Sequence, residues 1–162
     1  MAKKELIILV GNIGTGKSTY SATYQKQGYI IISRDQIRYG IGNGKYIYNK
    51  LYEPTVFKIE KYMLKKFLEL GINIIVDGVG VTPQIREKYI LYGKKNGYKI
   101  IAIIMPRFSM EKAVSRRMLT PHGQYDRQLW ENVWKKFDGI YEEPKKKEGF
   151  DKIIRLEEKD VA

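Results

Sequence analysis

The sequence predicts an α/β fold in which a five-stranded parallel sheet is flanked by helices on both faces. Short, β-branched apolar runs alternate with helical patterns along the whole chain of 162 residues. Each run is nearly continuous rather than alternating with polar residues, which is typical of strands covered on both faces. Helices between successive strands indicate βαβ units and parallel pairing. The length suits one domain, residues 1–162, and no linker or repeat divides it.

Five apolar runs are predicted to be the strands of this sheet. Each is short and rich in isoleucine and valine, and each is separated from the next by a helical pattern or a loop. They are ELIILV (5–10), YIIIS (29–33), INIIVD (72–77), KIIAIIM (99–105) and KIIRL (152–156).

The longest helix is predicted over about 53–70, because apolar residues there recur at steps of three and four and form one stripe. Pro54 suits the first turn and Gly71 the end. Further helices are predicted from Thr82 to near Gly97, after Ser109 and after Asp126. The stripe residues are Val56, Ile59, Met63, Phe67 and Leu70, and in the last helix Trp130 and Trp134 are interpreted as packing residues.

A glycine-rich stretch, GNIGTGKST (11–19), directly follows the first predicted strand. It fits the phosphate-binding pattern G-x-x-x-x-G-K-[ST], with Gly11, Gly16, Lys17 and Ser18 on the fixed positions. Glycines let backbone N–H groups turn inward around a polyphosphate, Lys17 reaches its β- and γ-phosphates, and Ser18 is left to hold Mg²⁺. The helix predicted after the loop points its positive end at the same anion. The predicted contacts are Gly11, Asn12, Ile13, Gly14, Thr15, Gly16, Lys17, Ser18 and Thr19.

Acidic and basic side chains follow the second and third strands, where ligands of open α/β sheets bind. Asp35 and Arg38 lie three residues apart, hence on one side of a helical turn. Asp35 could accept a proton from an attacking hydroxyl, and Arg38 could hold an anionic acceptor; the alternative is a helix-start aspartate with a surface arginine. Asp77 ends the third strand and could hold water on Mg²⁺ opposite Ser18, or could simply begin a turn.

Two further segments lack helical periodicity and are interpreted as loops. Residues 39–49 contain three closely spaced glycines and are expected to be a mobile loop, whereas residues 119–126 belong to a small lid over about 107–127. Positive charge near the moving phosphate is needed in phosphoryl transfer, and a mobile segment can supply it. The candidate cations are Arg107, Arg116, Arg117 and Arg127, with His122 interpreted as a polar loop residue.

The net charge of +12 and the isoelectric point near 9.7 favour a polyanionic partner, nucleic acid first and an anionic membrane surface second. A lysine-rich composition habit is the alternative. No cysteine is present, so disulfides and thiolate metal sites are excluded. No signal peptide or membrane-spanning run is visible, so we expect a cytoplasmic protein without a membrane partner. The oligomeric state is left open.

In their order, GNIGTGKST, ISRDQIR and IIVDGVGVTPQIR resemble the kinase module of the phage-type polynucleotide 5′-hydroxyl kinases and the wider P-loop kinase group. The resemblance covers residues 5 to about 120 and implies a P-loop kinase fold with ATP and Mg²⁺ as cofactors. It implies the phosphate-loop roles for Lys17 and Ser18, the general base for Asp35, and an acceptor-phosphate contact for Arg38. Asp77, Pro83 and Arg86 match the family's third motif, D-x-T-N-x-x-P-x-x-R, so Asp77 and Arg86 are implied to bind substrate.

The chain departs from the family pattern at two places. The family's Thr-Asn pair is Val79-Gly80 here, which removes two hydrogen-bonding side chains beside the acceptor. The family's lid carries two arginines four residues apart; Arg116 fits the first and is implied to be catalytic, but the second falls on Thr120, so Arg117 or Arg127 would have to substitute.

The leading functional hypothesis is transfer of the γ-phosphate of ATP to a hydroxyl of a nucleic acid, most simply the 5′-OH of DNA or RNA. The same chemistry on a modified base, a tRNA-linked group, a nucleoside or a small metabolite is the first alternative. A non-enzymatic nucleotide-binding or nucleic-acid-binding protein is the second, although the joint presence of Lys17, Ser18 and Asp35 argues against an inactive site.

Overall fold

The computed structural model describes residues 3–119 and 125–161. In these residues five strands form one sheet with the order β2-β3-β1-β4-β5, and every neighbouring pair is parallel. The predicted five-stranded parallel sheet is therefore confirmed. The strands are β1 (Glu5–Val10), β2 (Ile30–Ile32), β3 (Ile74–Val76), β4 (Lys99–Ile104) and β5 (Lys152–Arg155).

Helices cover both faces of the sheet, as predicted, and several begin at side-chain caps. The side-chain oxygens of Ser33, Thr82 and Asp126 accept hydrogen bonds from backbone N–H groups three residues later. Two helices carry proline in the first turn. The helices are α1 (Lys17–Gln25), α2 (Arg34–Ile41), α3 (Glu53–Glu69), α4 (Pro83–Lys95), α5 (Met110–Leu119) and α6 (Arg127–Gly139), with 3-10 turns at Lys146–Glu148 and Glu158–Asp160.

The core is divided by the sheet into two apolar layers. Leu6, Ile8 and Val10 of β1 face one layer together with α3 and α4, and Ile7 and Leu9 face the other. All five side chains are at most 2% exposed. Burial on both faces explains why this strand is continuously apolar and lies at the centre of the sheet.

The buried stripe of α3 differs from the predicted one. Its most buried residues are Val56, Glu60, Leu64 and Leu68, whereas Leu70 is 70% exposed and lies just past the helix, so its assignment to the core was wrong. Glu60 is accommodated because the Tyr89 hydroxyl and the Lys88 ammonium donate hydrogen bonds to its carboxylate. Met63 and Phe67 flank the stripe and pack against the core as predicted.

Of the two predicted loops, the structure fully describes the first. Helix α2 extends to Ile41, so the loop between α2 and α3 begins three residues later than expected and spans 42–52. Most of the predicted 119–126 loop, including His122, falls outside the described residues. In the described part of the chain, no helix is both long and apolar enough to cross a membrane.

Candidate active site

The glycine-rich stretch forms a loop between the carboxyl end of β1 and the first turn of α1. The Lys17 ammonium folds back into this loop and donates hydrogen bonds to the carbonyl oxygens of Gly11 (2.9 Å) and Asn12 (2.5 Å). The buried Thr15 hydroxyl donates to the same Asn12 carbonyl at 2.9 Å. The loop thus surrounds a cation with its own backbone, and α1 begins at Lys17 with its positive end directed at the loop.

Helix α5, which lies in the predicted lid, and helix α6 after it both contact the phosphate loop. Gly14 has a φ of 69°, and a Cβ there would lie 2.0 Å from the Ala113 carbonyl oxygen of α5, so only glycine fits. The Asn12 side-chain amide donates to the Trp134 carbonyl of α6 at 2.9 Å. Ile13 is buried against Val114 of α5. The described part of the lid is therefore packed onto the loop rather than separate from it.

Lys17, Ser18 and Asp77 form the polar centre of this loop. Burial lowers the pKa of Lys17 to about 8, although the charge of Asp77 acts in the opposite direction. Burial likewise raises the pKa of Asp77, and the charge of Lys17 and a hydrogen bond with Ser18 oppose that shift. A hydroxyl and a carboxylate side by side supply the oxygen ligands that Mg²⁺ prefers beside phosphates, so the residues fit the ion. Among the described residues there is no group of three or more His, Cys, Asp or Glu side chains that could hold a metal by themselves.

Val79 and Gly80, which replace the family's Thr-Asn pair, contact the start of the phosphate loop and β1, respectively. The Gly11 N–H donates to the Val79 carbonyl at 2.8 Å. Gly80 has a φ of 55°, and a Cβ there would lie 2.4 Å from the Leu9 carbonyl oxygen. A side chain at position 80 would therefore collide with β1, which explains glycine at this position.

Arg86 does not reach the space between the phosphate loop and Asp35, which we call the cleft. Its side chain is 0% exposed, and its guanidinium donates to the carboxylate of Glu148 and to the carbonyls of Gly80 and Glu142. The placement differs from the expectation that Arg86 binds substrate, because no donor faces a surface that a ligand could contact. Arg86 instead links Gly80, and through it the phosphate loop, to the chain after α6.

The side of the cleft opposite the phosphate loop is built from α2, the loop after it and the start of α3, and we call it the acceptor side after the role that the resemblance implies for Asp35 and Arg38. The Arg38 guanidinium donates to Asp35 Oδ1 (2.7 Å) and makes a two-point pair with Glu53 (2.9 and 2.6 Å). The Tyr46 hydroxyl donates to the same Asp35 oxygen at 3.1 Å, and burial raises the pKa of Tyr46, so the phenol remains a donor. The Asp35 side chain is 36% exposed while those of Arg38 and Glu53 are nearly buried. Asp35 is thus held firmly and still reachable from the cleft.

Sequence reasoning missed Glu53 and Tyr46. Glu53 stands next to the Pro54 that marks the helix start, and a glutamate there is ordinarily a first-turn residue that favours the helix dipole. Its pairing with Arg38 across 15 positions leaves no periodic signal in the sequence. The closely spaced tyrosines of residues 39–48 were a visible signal for Tyr46, since aromatic residues are uncommon in a glycine-rich loop.

The four candidate lid arginines occupy different places. Arg116 lies against the phosphate loop, where a Cβ on Gly16 would be 3.2 Å from its Nη2. Arg117 lies on the acceptor side, 3.8 Å from Asp35 Oδ2, and burial lowers its pKa. Arg107 pairs with Asp138, and Arg127 pairs with Glu131 at the surface. Two adjacent arginines of α5 thus lie on opposite sides of the cleft, and the other two pair with Asp138 and Glu131.

The fold, the phosphate loop and Asp35 on the opposite side of the cleft together define the chain as a P-loop kinase. A family model described as an AAA domain matches residues 6–144, and the chain belongs to this family. The match includes the phosphate loop, the acceptor-side residues, Arg116 and Arg117.

Three proteins illustrate the range of its relatives. One is 28% identical over 127 residues and comes from Autographa californica nuclear polyhedrosis virus, under the name "Putative bifunctional polynucleotide kinase/RNA ligase"; it matches 71% of this chain. The structure of a Pnkp1/Rnl/Hen1 RNA repair complex has a TM-score of 0.64 at 19% identity over 86% of this chain. A gluconokinase from Sinorhizobium meliloti 1021 has a TM-score of 0.56 at 15% identity over 99% of this chain and 89% of its own. The two structures share the fold.

The chain is short relative to the first two of these proteins. It spans 18% of the length of the viral relative and 46% of the matched chain of the RNA repair complex. The similarity thus concerns one module of larger proteins.

Proposed function

We propose that the chain transfers the γ-phosphate of ATP to a hydroxyl of a nucleic acid, most simply the 5′-hydroxyl end of DNA or RNA. The observation that carries this proposal is the placement of Asp35. Its carboxylate is held by Arg38 and Tyr46, is partly exposed, and is close enough to Lys17 that its charge acts on the lysine's pKa. A general base beside a phosphate loop is the arrangement that hydroxyl phosphorylation needs.

The reaction follows from this arrangement. The acceptor oxygen attacks the γ-phosphorus while its proton passes to the Asp35 carboxylate, and the bond from the γ-phosphorus to the β,γ-bridging oxygen breaks to release ADP. Lys17 and Arg116 stabilise the negative charge that moves to the leaving phosphate. Mg²⁺, where bound beside Ser18 and Asp77, would neutralise charge on the phosphates. Arg38 keeps Asp35 in place and presents positive charge to an anionic acceptor.

Charge and similarity support a nucleic-acid acceptor. A net charge of +12 favours a polyanion, because each phosphate contact releases condensed counterions. The viral relative carries a polynucleotide kinase in its name. Single strands would enter the cleft more readily than a duplex, since their ends are not held in a stack.

The experiment is transfer of labelled γ-phosphate from ATP and Mg²⁺ to a short single-stranded oligonucleotide with a 5′-hydroxyl. A 5′-phosphorylated copy, a free nucleoside and gluconate serve as matched acceptors. We expect label on the 5′-hydroxyl strand and none on the 5′-phosphorylated copy. Label on the nucleoside or on gluconate, with none on either strand, would contradict the nucleic-acid acceptor and retain the kinase.

A second candidate is the same transfer to a modified base, a tRNA-linked group, a nucleoside or a small metabolite. The observation that favours it is Val79-Gly80. Where the phage-type kinases carry Thr-Asn, these residues offer no hydrogen-bonding side chain to an acceptor and make backbone contacts instead. Salt separates polynucleotide acceptors from a nucleoside or a neutral metabolite. KM for a polynucleotide should rise steeply with salt concentration, whereas KM for a neutral acceptor should not. Bound ATP without transfer to any acceptor would instead indicate the non-enzymatic alternative.

A further inference from the structure

An aromatic cluster lies beside the acceptor-side residues. We call Tyr39, Tyr46, Tyr48 and Tyr125 the tyrosine cluster; the first three come from α2 and the loop after it, and the last precedes α6. Ring centroids are 5.4 Å apart for Tyr39 and Tyr46, 6.4 Å for Tyr46 and Tyr125, and 6.5 Å for Tyr48 and Tyr125, all edge to face. Such distances and angles are those of attractive aromatic pairs.

The cluster is joined to the reacting residues. The Tyr46 hydroxyl bonds Asp35, and the Arg38 guanidinium carbon lies 5.9 Å from the Tyr46 ring centroid and 5.6 Å from that of Tyr48. Arginine at this distance from a ring face is attracted to it. Rings and cations therefore stand together at the place where the acceptor hydroxyl would approach Asp35.

Two tyrosines of the cluster are packed into the protein, whereas Tyr48 is half exposed. Tyr46 and Tyr125 are partly buried, but Tyr48 is 50% exposed. Its neighbours on the same loop are exposed as well, with Leu51 at 77% and Tyr52 at 45%. Tyr48 thus lies beside Arg38 and Tyr125 while a large part of its surface faces solvent.

We propose that the exposed ring of Tyr48 stacks on a nucleobase at the 5′ end of the acceptor strand. The proposal rests on the proposed function and specifies what its acceptor must contain. Every nucleobase has a π face that a tyrosine can cover, whereas a sugar acid such as gluconate offers none. The nearby cations Arg38 and Arg117 suit the phosphates that flank such a base, as in sites that bind single strands by stacking and charge.

The test crosses a change in the protein with a change in the acceptor. Wild type and Tyr48→Ala are each assayed, by steady-state transfer of labelled phosphate, on a 5′-hydroxyl strand and on the same strand whose two 5′-terminal residues are abasic. Tyr48→Ala should raise KM on the intact strand about fivefold to tenfold, with kcat nearly unchanged, because one exposed stacking contact is lost. On the abasic strand the same variant should match wild type. Removing the bases should also raise KM for wild type by a similar factor.

Control variants separate stacking from packing. Tyr48→Phe keeps the ring and should behave as wild type on both strands. Tyr62→Ala removes another exposed tyrosine, 65% exposed on α3 and nine residues after Glu53, and should change KM on neither strand. Thermal unfolding of each variant shows whether the fold is intact.

Each outcome has one meaning. An equal rise of KM on intact and abasic strands, or no rise on either, would overturn the stacking role of Tyr48 while leaving the kinase in place. Transfer to neither strand by wild type would overturn the proposed function, and the inference with it.

Discussion

The two sides of the cleft are built by different means. The donor side takes its cation, its hydroxyl and its backbone carbonyls from eight consecutive residues, 11–18, so local sequence specifies it. The acceptor side joins Asp35, Arg38, Tyr46 and Glu53, which come from two helices and the loop between them. The functional groups of the donor side are therefore close together in the sequence, although Val79, α5 and α6 also contact the loop, whereas those of the acceptor side meet only once α2 and α3 have packed.

The two sides also balance charge differently. Lys17 donates to neutral carbonyls, and its burial lowers its pKa, so a polyphosphate is the strong partner that it lacks. Burial would lower the pKa of Arg38 too, but the hydrogen bonds that Arg38 donates to Glu53 and the charges of Asp35 and Glu53 raise it instead. Among the described residues, the Lys17 ammonium thus donates only to neutral groups, whereas the Arg38 guanidinium already pairs with two carboxylates.

The largest expected effect comes from removing the base. Asp35→Asn should lower kcat about 10²–10⁴-fold, because the acceptor hydroxyl loses its proton acceptor, while the affinity for ATP stays close to wild type. Single-turnover transfer and nucleotide titration measure the two sides separately. Unchanged turnover, or loss of ATP binding in step with turnover, would remove the division between donor and acceptor sides.

Adjacent arginines offer the second test. Arg116→Ala should lower kcat about 10²-fold through lost charge stabilisation at the transferring phosphate, whereas Arg117→Ala should mainly raise KM for the acceptor. Arg127→Ala, which removes an exposed pair with Glu131, is the control and should leave both constants alone. Identical profiles for Arg116→Ala and Arg117→Ala would mean that the two do not serve different sides.

What the sequence predicted correctly was local. The five strands and the helices between them followed from apolar runs and periodicity, because each strand is buried on both faces and each helix has one buried side. The phosphate loop followed from its spacing, since the hydrogen bonds of the Lys17 ammonium join residues at most six positions apart. Residue roles in catalysis remain predictions.

What the sequence could not supply was pairing over distance. The resemblance implied a substrate contact for Arg86, but its partner Glu148 lies 62 residues away and holds it inside the protein. Arg38 likewise meets Glu53 only through the packing of α2 on α3. Leu70 continued an apolar spacing past the end of its helix, where burial no longer follows the period.

A third prediction concerns the pair that fixes the acceptor side. Glu53→Gln should raise KM for the acceptor about thirtyfold and lower the free energy of unfolding by about 2 kcal/mol, because the nearly buried Arg38 guanidinium loses one of its two carboxylate partners. Glu69→Gln, in the exposed pair with Lys66, is the control and should change neither quantity. A change in the KM for ATP, with no change in the KM for the acceptor, would show that Glu53 acts on the donor side and contradict the prediction.

The smallest effect is a pH dependence confined to the donor side. Burial lowers the pKa of Lys17 to about 8 in the nucleotide-free protein, and a bound polyphosphate would raise it again. Above about pH 8, ATP binding must therefore take up a proton, so the affinity for ATP should fall about tenfold between about pH 7.5 and pH 9. By the same sign, the free energy of unfolding of the nucleotide-free protein should rise with pH from about 8, since the unfolded chain holds the proton more tightly. Calorimetric titration of wild type beside Lys17→Met measures the first effect, and the methionine variant should bind weakly with no such slope. A wild-type affinity that is flat across this range would show that Lys17 stays protonated without its ligand, and the contrast in charge between the two sides of the cleft would be lost.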